Sequence, residues 1–217
     1  MTYPDVMSED ETLDALLAGA SIARFGDGEF SAARGANACG QKRDPELARR
    51  LLEILQDSGD CLVGIPNINA PTPKRAFWGK YPEKLAPLLK PGRRYASSFI
   101  SRPDSAPWID RPDYWARVLR LWAGRDVVLV RGTEKSLTAE RLVGARSVRE
   151  VIGPGENAWS EYGRLMQEVG APELVVLCLG VTATVMAVDL CARGVQALDL
   201  GHLGMFLKRR MLQKAEE

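Results

Sequence analysis

Leu174-Val175-Val176-Leu177-Cys178-Leu179-Gly180 is an unbroken apolar run closed by a glycine. A run of this length suits a strand buried on both faces, as strands of parallel sheets are. After it the period changes. Thr182 or Thr184 starts a helix through Val185, Val188, Asp189 and Leu190, and Gly194 stops it. Gln196 to Leu200 reads as the next strand, with Gly201-His202 at its end and a last helix beyond. Strand, glycine, helix and strand within about 30 residues make the βαβ unit of a parallel sheet.

The same alternation extends towards the amino terminus. Asn157 is read as the cap of a helix through Trp159, Tyr162, Leu165 and Met166, stopped by Gly170. Val148 to Ile152 and Asp126 to Gly132 read as strands, with a short helix near Ala139 to Val143 between them. A helix runs through Tyr114, Val118, Leu121 and Trp122, and Tyr95 to Ser101 reads as a strand before it. Leu85 to Leu89 looks helical. Cys61 to Ile65 is a short apolar strand closed by Pro66. Asp44-Pro45 opens a helix whose stripe is Leu47, Leu51, Ile54 and Leu55, an N-cap followed by proline at the first helical position. Ser8 and Glu11 form a capping-box pattern before Leu13, Leu16 and Leu17. Strands alternating with helices at this spacing predict an α/β fold. We expect a single Rossmann-like domain over residues 1–217, its mainly parallel sheet flanked by helices. No repeat of fixed period or low-complexity linker divides it.

Composition narrows the function. With 46% hydrophobic and 26% charged residues the chain reads as an ordinary globular protein, and a net charge of +1 argues against binding nucleic acid. The start carries Asp5, Glu9, Asp10 and Glu11 rather than a basic and then apolar run, which predicts no signal peptide. No apolar run reaches the ~20 residues that span a bilayer, so no direct membrane insertion is expected. Cys39, Cys61, Cys178 and Cys191 are widely spaced, without a Cys-x-x-Cys pair. They are read as reduced thiols of a cytoplasmic protein, two of them buried and inert rather than zinc ligands. Oligomeric state is not fixed by these features, and a homo-oligomer is compatible with them.

In a parallel sheet, ligands bind at the carboxyl ends of the strands. The polar residues there are Asp27, Glu29, Asn67, Asn69, Ser101, Arg102, Arg131, Thr182, Thr184, Asp199 and His202. The most informative stretch is Ser21-Ile22-Ala23-Arg24-Phe25-Gly26-Asp27-Gly28-Glu29, a strand that breaks into two carboxylates flanked by Gly26 and Gly28. Carboxylate oxygens at this spacing suit Mg²⁺ or Mn²⁺, which also binds substrate phosphates. An acidic turn capping the next helix is the plainer reading. Gly180 before a helix offers free N–H groups and a positive dipole end to a phosphate, although threonines that only cap a helix would look the same. It has neither the Gly-x-Gly-x-x-Gly spacing nor the Gly-Lys-Ser/Thr of a P-loop. Arg24, Arg102 and Arg131 are candidates for bidentate contacts to a diphosphate, with surface ion pairs as the alternative. Trp78, Tyr81 and Trp108 on long loops could stack on a base or sugar, or could simply anchor the loops. His202, the single histidine, could complete a metal shell, touch a phosphate or orient an acceptor.

Three stretches carry a resemblance: residues 21–29, Gly-Val-Thr-Ala-Thr-Val-Met-Ala-Val-Asp-Leu at 180–190, and Gly-Val-Gln-Ala-Leu-Asp-Leu-Gly-His at 194–202. They resemble a bacterial glycosyltransferase family whose distinct fold is called GT-D. Weaker likeness lies at 99–103, 128–132 and 157–158. The resemblance implies a Rossmann-like hexosyltransferase. It would move a sugar, UDP-linked and glucose-like, to a surface glycan or glycoprotein acceptor. Asp27 and Glu29 match the family's Asp-x-Glu, associated with the divalent metal (Mn²⁺ or Mg²⁺) and the diphosphate. Asp199 and His202 match its Asp-x-Gly-His element. The candidate catalytic set is therefore Asp27, Glu29, His202 and Asp199. The candidate nucleotide-sugar contacts are Arg24, Gly26, Gly28, Arg102, Arg131, Gly180, Thr182 and Thr184. After His202 relatives continue with an acidic and aromatic run, where this chain has Leu203, Gly204, Met205 and Phe206. A non-catalytic nucleotide-sugar binding subunit of a glycan-assembly complex is the rival reading. A third, an enzyme such as a methyltransferase, predicts no metal requirement and no preference for UDP.

Overall fold

A computed structural model describes residues 3–38, 40–70, 72–79, 82–132 and 137–207. Seven strands form one sheet: β1 (Ile22–Arg24), β2 (Leu62–Ile65), β3 (Ala96–Ser97), β4 (Asp126–Arg131), β5 (Ser147–Ile152), β6 (Leu174–Cys178) and β7 (Gln196–Asp199). Their order is β3-β2-β1-β7-β6-β4-β5, and every pairing is parallel. The helices are α1 (Glu9–Leu17), α2 (Asp27–Ala33), α3 (Pro45–Gln56), α4 (Arg75–Trp78), α5 (Pro82–Leu85), α6 (Pro112–Arg120), α7 (Tyr162–Val169) and α8 (Val181–Cys191). Residues 203–207 form a final helical turn. This is the expected α/β sheet flanked by helices.

The apolar run at 174–179 is buried on both faces because its side chains alternate between two cores. Leu174, Val176 and Cys178 pack with α1 and α6, whereas Val175, Leu177 and Leu179 pack with α7 and α8. In β4, Val127 and Leu129 divide from Val128 and Val130 in the same way. A third cluster places Phe25, Phe30, Leu47, Leu51, Ile54 and Leu55 under α2 and α3. The two strongest start signals act as read. Ser8 and Glu11 close a reciprocal capping box, and Asp44 Oδ1 accepts from Leu47 N at 2.9 Å.

Four local expectations are corrected. Only Ala96–Ser97 of the stretch 95–101 is strand. Ser97 Oγ accepts from Phe99 N at 3.1 Å and turns the chain into a 3₁₀ helix at Ser98–Ser101. Asn157 does not cap an α-helix. It adopts a left-handed conformation, its Oδ1 accepts from Lys42 N at 2.7 Å, and α7 begins only at Tyr162 after a 3₁₀ turn. The segment near Ala139 is likewise a 3₁₀ turn, Ala139–Arg141. Neither Thr182 nor Thr184 starts α8. Gly180, at φ +56°, precedes Val181, and both threonines are buried inside the first turns.

Chain direction after each strand decides where a crevice can open. From β1 the chain enters α2, and from β6 it enters α8, both on the face of α3 and α7. From β7, which lies between β1 and β6, it turns to the opposite face, where Leu203 and Leu207 pack with α1 and α6. The carboxyl end of β7 is therefore a switch point with open space above it.

Gly201 at this point is required. Its φ is +47°, and a Cβ there would sit 2.2 Å from Arg24 Nη2. That guanidinium is pinned by Ser98 O and Ser101 Oγ and has no cheap way to move. Gly201→Ala should lose about 2–4 kcal/mol in urea unfolding. Gly194→Ala, also at positive φ but with open space around it, should lose only about 1 kcal/mol.

Candidate active site

The switch point holds a cleft of about 490 Å³, within the ordinary range for small-molecule sites. Its walls include Arg24 through Glu29 from β1 and α2, Gly180 and Val181 from α8, and Asp199, Gly201 and His202 after β7. Arg102, Trp78 and Met205 complete the mouth. A second cavity, of about 520 Å³, lies before the amino end of β3, lined in part by Arg93 and Arg94. Those two arginines are committed to Ile54 O, Leu55 O, Asp5 and Glu11. The carboxylates and cations that could act on a ligand gather in the first.

The floor is a buried polar knot. Arg24 N donates to Asp199 Oδ2 at 3.2 Å, and Arg24 Nη2 lies 3.8 Å from Asp199 Oδ1. Arg24 Nη1 donates to Ser98 O at 3.0 Å and to Ser101 Oγ at 2.5 Å, and Ser101 Oγ donates to Leu200 O at 3.1 Å. Thr184 Oγ1 donates to Arg24 O at 3.0 Å. Asp199 has a raised pKa because burial disfavours its charge, with Arg24 and its N–H opposing. Both Arg24 and Asp199 line the cleft, but their main hydrogen bonds are internal. Asp199 positions Arg24.

Asp27 and Glu29 stand in the first turn of α2, not on a free turn. Asp27 is exposed at the cleft. Glu29 Oε2 accepts from Gly26 N at 2.8 Å, the half of a capping box that a glycine N-cap leaves possible. Burial first, and the charge of Asp199 second, push the Glu29 pKa up to about 7. Among the described residues no group of three or more His, Cys, Asp and Glu side chains could hold a metal. Two carboxylates without a third ligand do not make a closed protein site. They do fit a hard divalent cation that keeps waters and takes substrate phosphates. Asp27 would hold it, with Glu29 as the second ligand through the oxygen not given to Gly26.

His202 is exposed at the rim. The protein packed around its ring, and the charges of Arg102 and Arg24, lower its pKa and favour the neutral imidazole. Arg102 grips Asp104 bidentately at 2.8 Å and 2.8 Å, and Lys74 reaches the same carboxylate. Asp104 thus ties the segment carrying Trp78 to the cleft mouth. Trp78 is buried, packed 5.5 Å from Phe99 and 4.8 Å from Phe77.

The cleft brings together Arg24, Gly26, Asp27, Gly28, Glu29, Arg102, Gly180, Asp199 and His202. It does not include Arg131, which grips Glu150 bidentately at 2.7 Å and 3.0 Å, nor the buried Thr182 and Thr184. Asn67 and Trp108 Nε1 both donate to the buried Glu9 carboxylate and anchor loops from within. Tyr81 lies outside the described residues. Ser31, Asn37, Ser98 and Met205 were not anticipated in the lining. Met205 falls where the family resemblance breaks, a signal that the segment after His202 reaches the site. Lys74 and Asp104 had no sequence signal, since 30 residues separate them.

Comparison with known proteins supplies the family to which this fold belongs. The Glycosyltransferase GT-D fold family matches residues 22–207, and the chain belongs to that family. It is 35% identical to a probable glycosyl transferase Gly of Streptococcus gordonii over 91% of this chain, and 29% identical to the glycosyltransferase GlyD of Streptococcus pneumoniae over 89%. It spans only 32% and 26% of those relatives. A solved glycosyltransferase from Streptococcus sanguinis superposes with a TM-score of 0.80 at 34% identity, over 93% of this chain and 82% of that one. A structure described as domain of unknown function 1792 with a distinct glycosyltransferase fold gives 0.82 at 31%, over 93% and 79%. Among the described residues, no helix is long and apolar enough to cross a membrane.

The Asp104 tether has a testable pH window. Burial pushes the Asp104 pKa up, but hydrogen bonds from Arg102 and Lys74 outweigh it and hold the carboxyl at about 2. A depressed pKa stabilises above the unfolded value, near 4, and that stability is lost as pH falls towards 2. At neutral pH, Asp104→Ala should speed hydrogen exchange of the Phe77 and Trp78 amides about tenfold, both of which donate to Lys74 O. In the unmodified chain the same loosening should appear only in that acid window.

Proposed function

We propose that this chain transfers a glucose-like hexosyl group from a UDP-sugar to a hydroxyl of a glycan or glycoprotein, in surface polysaccharide or glycoprotein assembly. Mn²⁺ or Mg²⁺ would bind at Asp27 and Glu29. One observation carries the reading: a single cleft at the switch point sets these two carboxylates together with Arg102 and the amino end of α8. The names of the relatives support the glycosyltransferase class, and the donor, metal and acceptor are our inference.

Transfer breaks the bond between the anomeric carbon and the diphosphate, so negative charge grows on the leaving group. When bound, a divalent cation supplies Lewis-acid neutralisation of that charge. The Arg102 guanidinium, held in orientation by Asp104, adds fixed positive potential. The N–H groups of the first turn of α8 add the positive end of the helix dipole. Arg24 contributes its charge from the floor without leaving its internal bonds. His202, its neutral form favoured, is suited to take the proton of the attacking hydroxyl.

Calorimetric titration tests the donor and metal together. UDP should bind in Mn²⁺, and lose at least about tenfold in affinity both in EDTA and in Asp27→Ala. Equal binding in all three would sink the metal assignment. UDP-glucose turnover should follow, with His202→Ala lowering kcat about a hundredfold while UDP affinity holds. Binding of UDP without any consumption of UDP-sugars would identify a nucleotide-sugar binding subunit instead.

A further inference from the structure

Beside the cleft lies a smaller cavity to which the chemistry above gives no role. It is a slot of about 90 Å³ that shares Cys178, Gly180 and Val181 with the 490 Å³ cleft, so the two meet at the amino end of α8. Gly132 after β4, the loop after β5 and the loop before α3 form its other walls.

The slot is built by specific bonds. Asn157 is the one non-glycine residue with a positive φ among those described. Its N–H donates to Gly40 O at 2.6 Å, and its Oδ1 accepts from Lys42 N at 2.7 Å. Two loops 115 residues apart thereby become facing walls. Left-handed backbone at a residue other than glycine recurs where geometry has to be held for a ligand. A Cβ on Gly132 would meet Pro154 O at 3.0 Å, so that wall is bare main chain. Gln41 is buried in the lining. Its carboxamide gives one N–H to Lys42 O at 3.0 Å and accepts once, from Trp159 N at 3.3 Å. A carboxamide has two N–H groups and two lone pairs, so one of each is left.

We propose that this slot seats the pyrimidine base of the nucleotide donor, an assignment that rests on the transferase reading above. Direction follows from the chemistry. The bond that breaks lies at the sugar end of the diphosphate, and Asp27, Arg102 and His202, the groups suited to act there, line the larger cavity. The nucleoside end then leaves across Gly180 and Val181, where the slot begins. Size selects the base, because about 90 Å³ takes one six-membered ring and not the fused rings of a purine. The bare main chain at Gly132 and the apolar Ala158 and Leu179 suit the faces of that ring. The spare N–H and lone pair of Gln41 match the carbonyl and N–H of a uracil imide edge. Glu156, exposed at the rim, offers its carboxylate to the ribose hydroxyls.

Photolabelling tests this. 5-Azido-UDP is bound to the full chain in Mn²⁺ and irradiated, and the labelled peptide is mapped. We expect label at Gly132, at Gly40-Gln41 or between Pro154 and Ala158, and excess UDP should prevent it. Label on residues 24–29 or 202–205 would overturn the slot and leave the transferase reading standing. Failure of UDP to bind at all would overturn both. Calorimetry gives a second readout. In Mn²⁺, UDP should bind at least about tenfold tighter than either ADP or pyrophosphate. Ala158→Leu, which fills the slot, should erase that advantage while pyrophosphate binds within about twofold of its affinity for the unmodified chain. Equal affinity of the unmodified chain for UDP and ADP would also sink the proposal, whether or not Ala158→Leu folds.

Discussion

The ion pair between Arg24 and Asp199 organises the upper rim of the sheet. It joins the carboxyl ends of two adjacent strands that are 175 residues apart in sequence. Both side chains are nearly closed off from water, at 10% and 6% exposure. Burying two charges is tolerable only when their remaining donors and acceptors are satisfied. The neighbours meet most of that condition, leaving Arg24 Nε buried without a hydrogen-bond partner. Ser98 and Ser101 come from the turn after β3, Thr184 from α8, and Leu200 from the exit of β7. Gly201 is the residue that leaves room for the guanidinium. One electrostatic constraint thus fixes the relative height of four segments around the cleft.

Above this floor the charges separate by solvent access. Arg24 and Asp199 serve each other, whereas Asp27, Arg102 and His202 face the cleft. Glu29 stands between the two sets. Its Gly26 bond ties it to the start of α2, and its closeness to Asp199 makes its second charge expensive. A cation beside Glu29 would favour its ionised form, which is the physical support for the divalent site proposed at this end of α2.

The fold was legible because its strands are buried on both faces and so are apolar without interruption, as at 174–179 and 127–130. The rim was legible by position, since polar residues that follow such strands must gather at one edge. Reading erred where a hydrogen bond between distant residues overrode local pattern. Ser97 bends its own strand, and Asn157 spends its side chain on Lys42 rather than on a helix. Arg131 carries the same local signature as Arg24, a basic residue at a strand end. Only the register of β5, which sets Glu150 within its reach, takes Arg131 out of the site.

Sequence alone determined the strand and helix alternation, the family and the Asp27-x-Glu29 and Asp199-x-x-His202 pairs, all of which are properties of a few neighbouring residues. Tertiary structure decided which of the polar residues are ligands of the molecule itself and which remain for a substrate. It also decided that Lys74 meets Asp104. The reason is strand order. With β7 inserted between β1 and β6, residues from the two ends of the chain become lateral neighbours, and no local period records that adjacency.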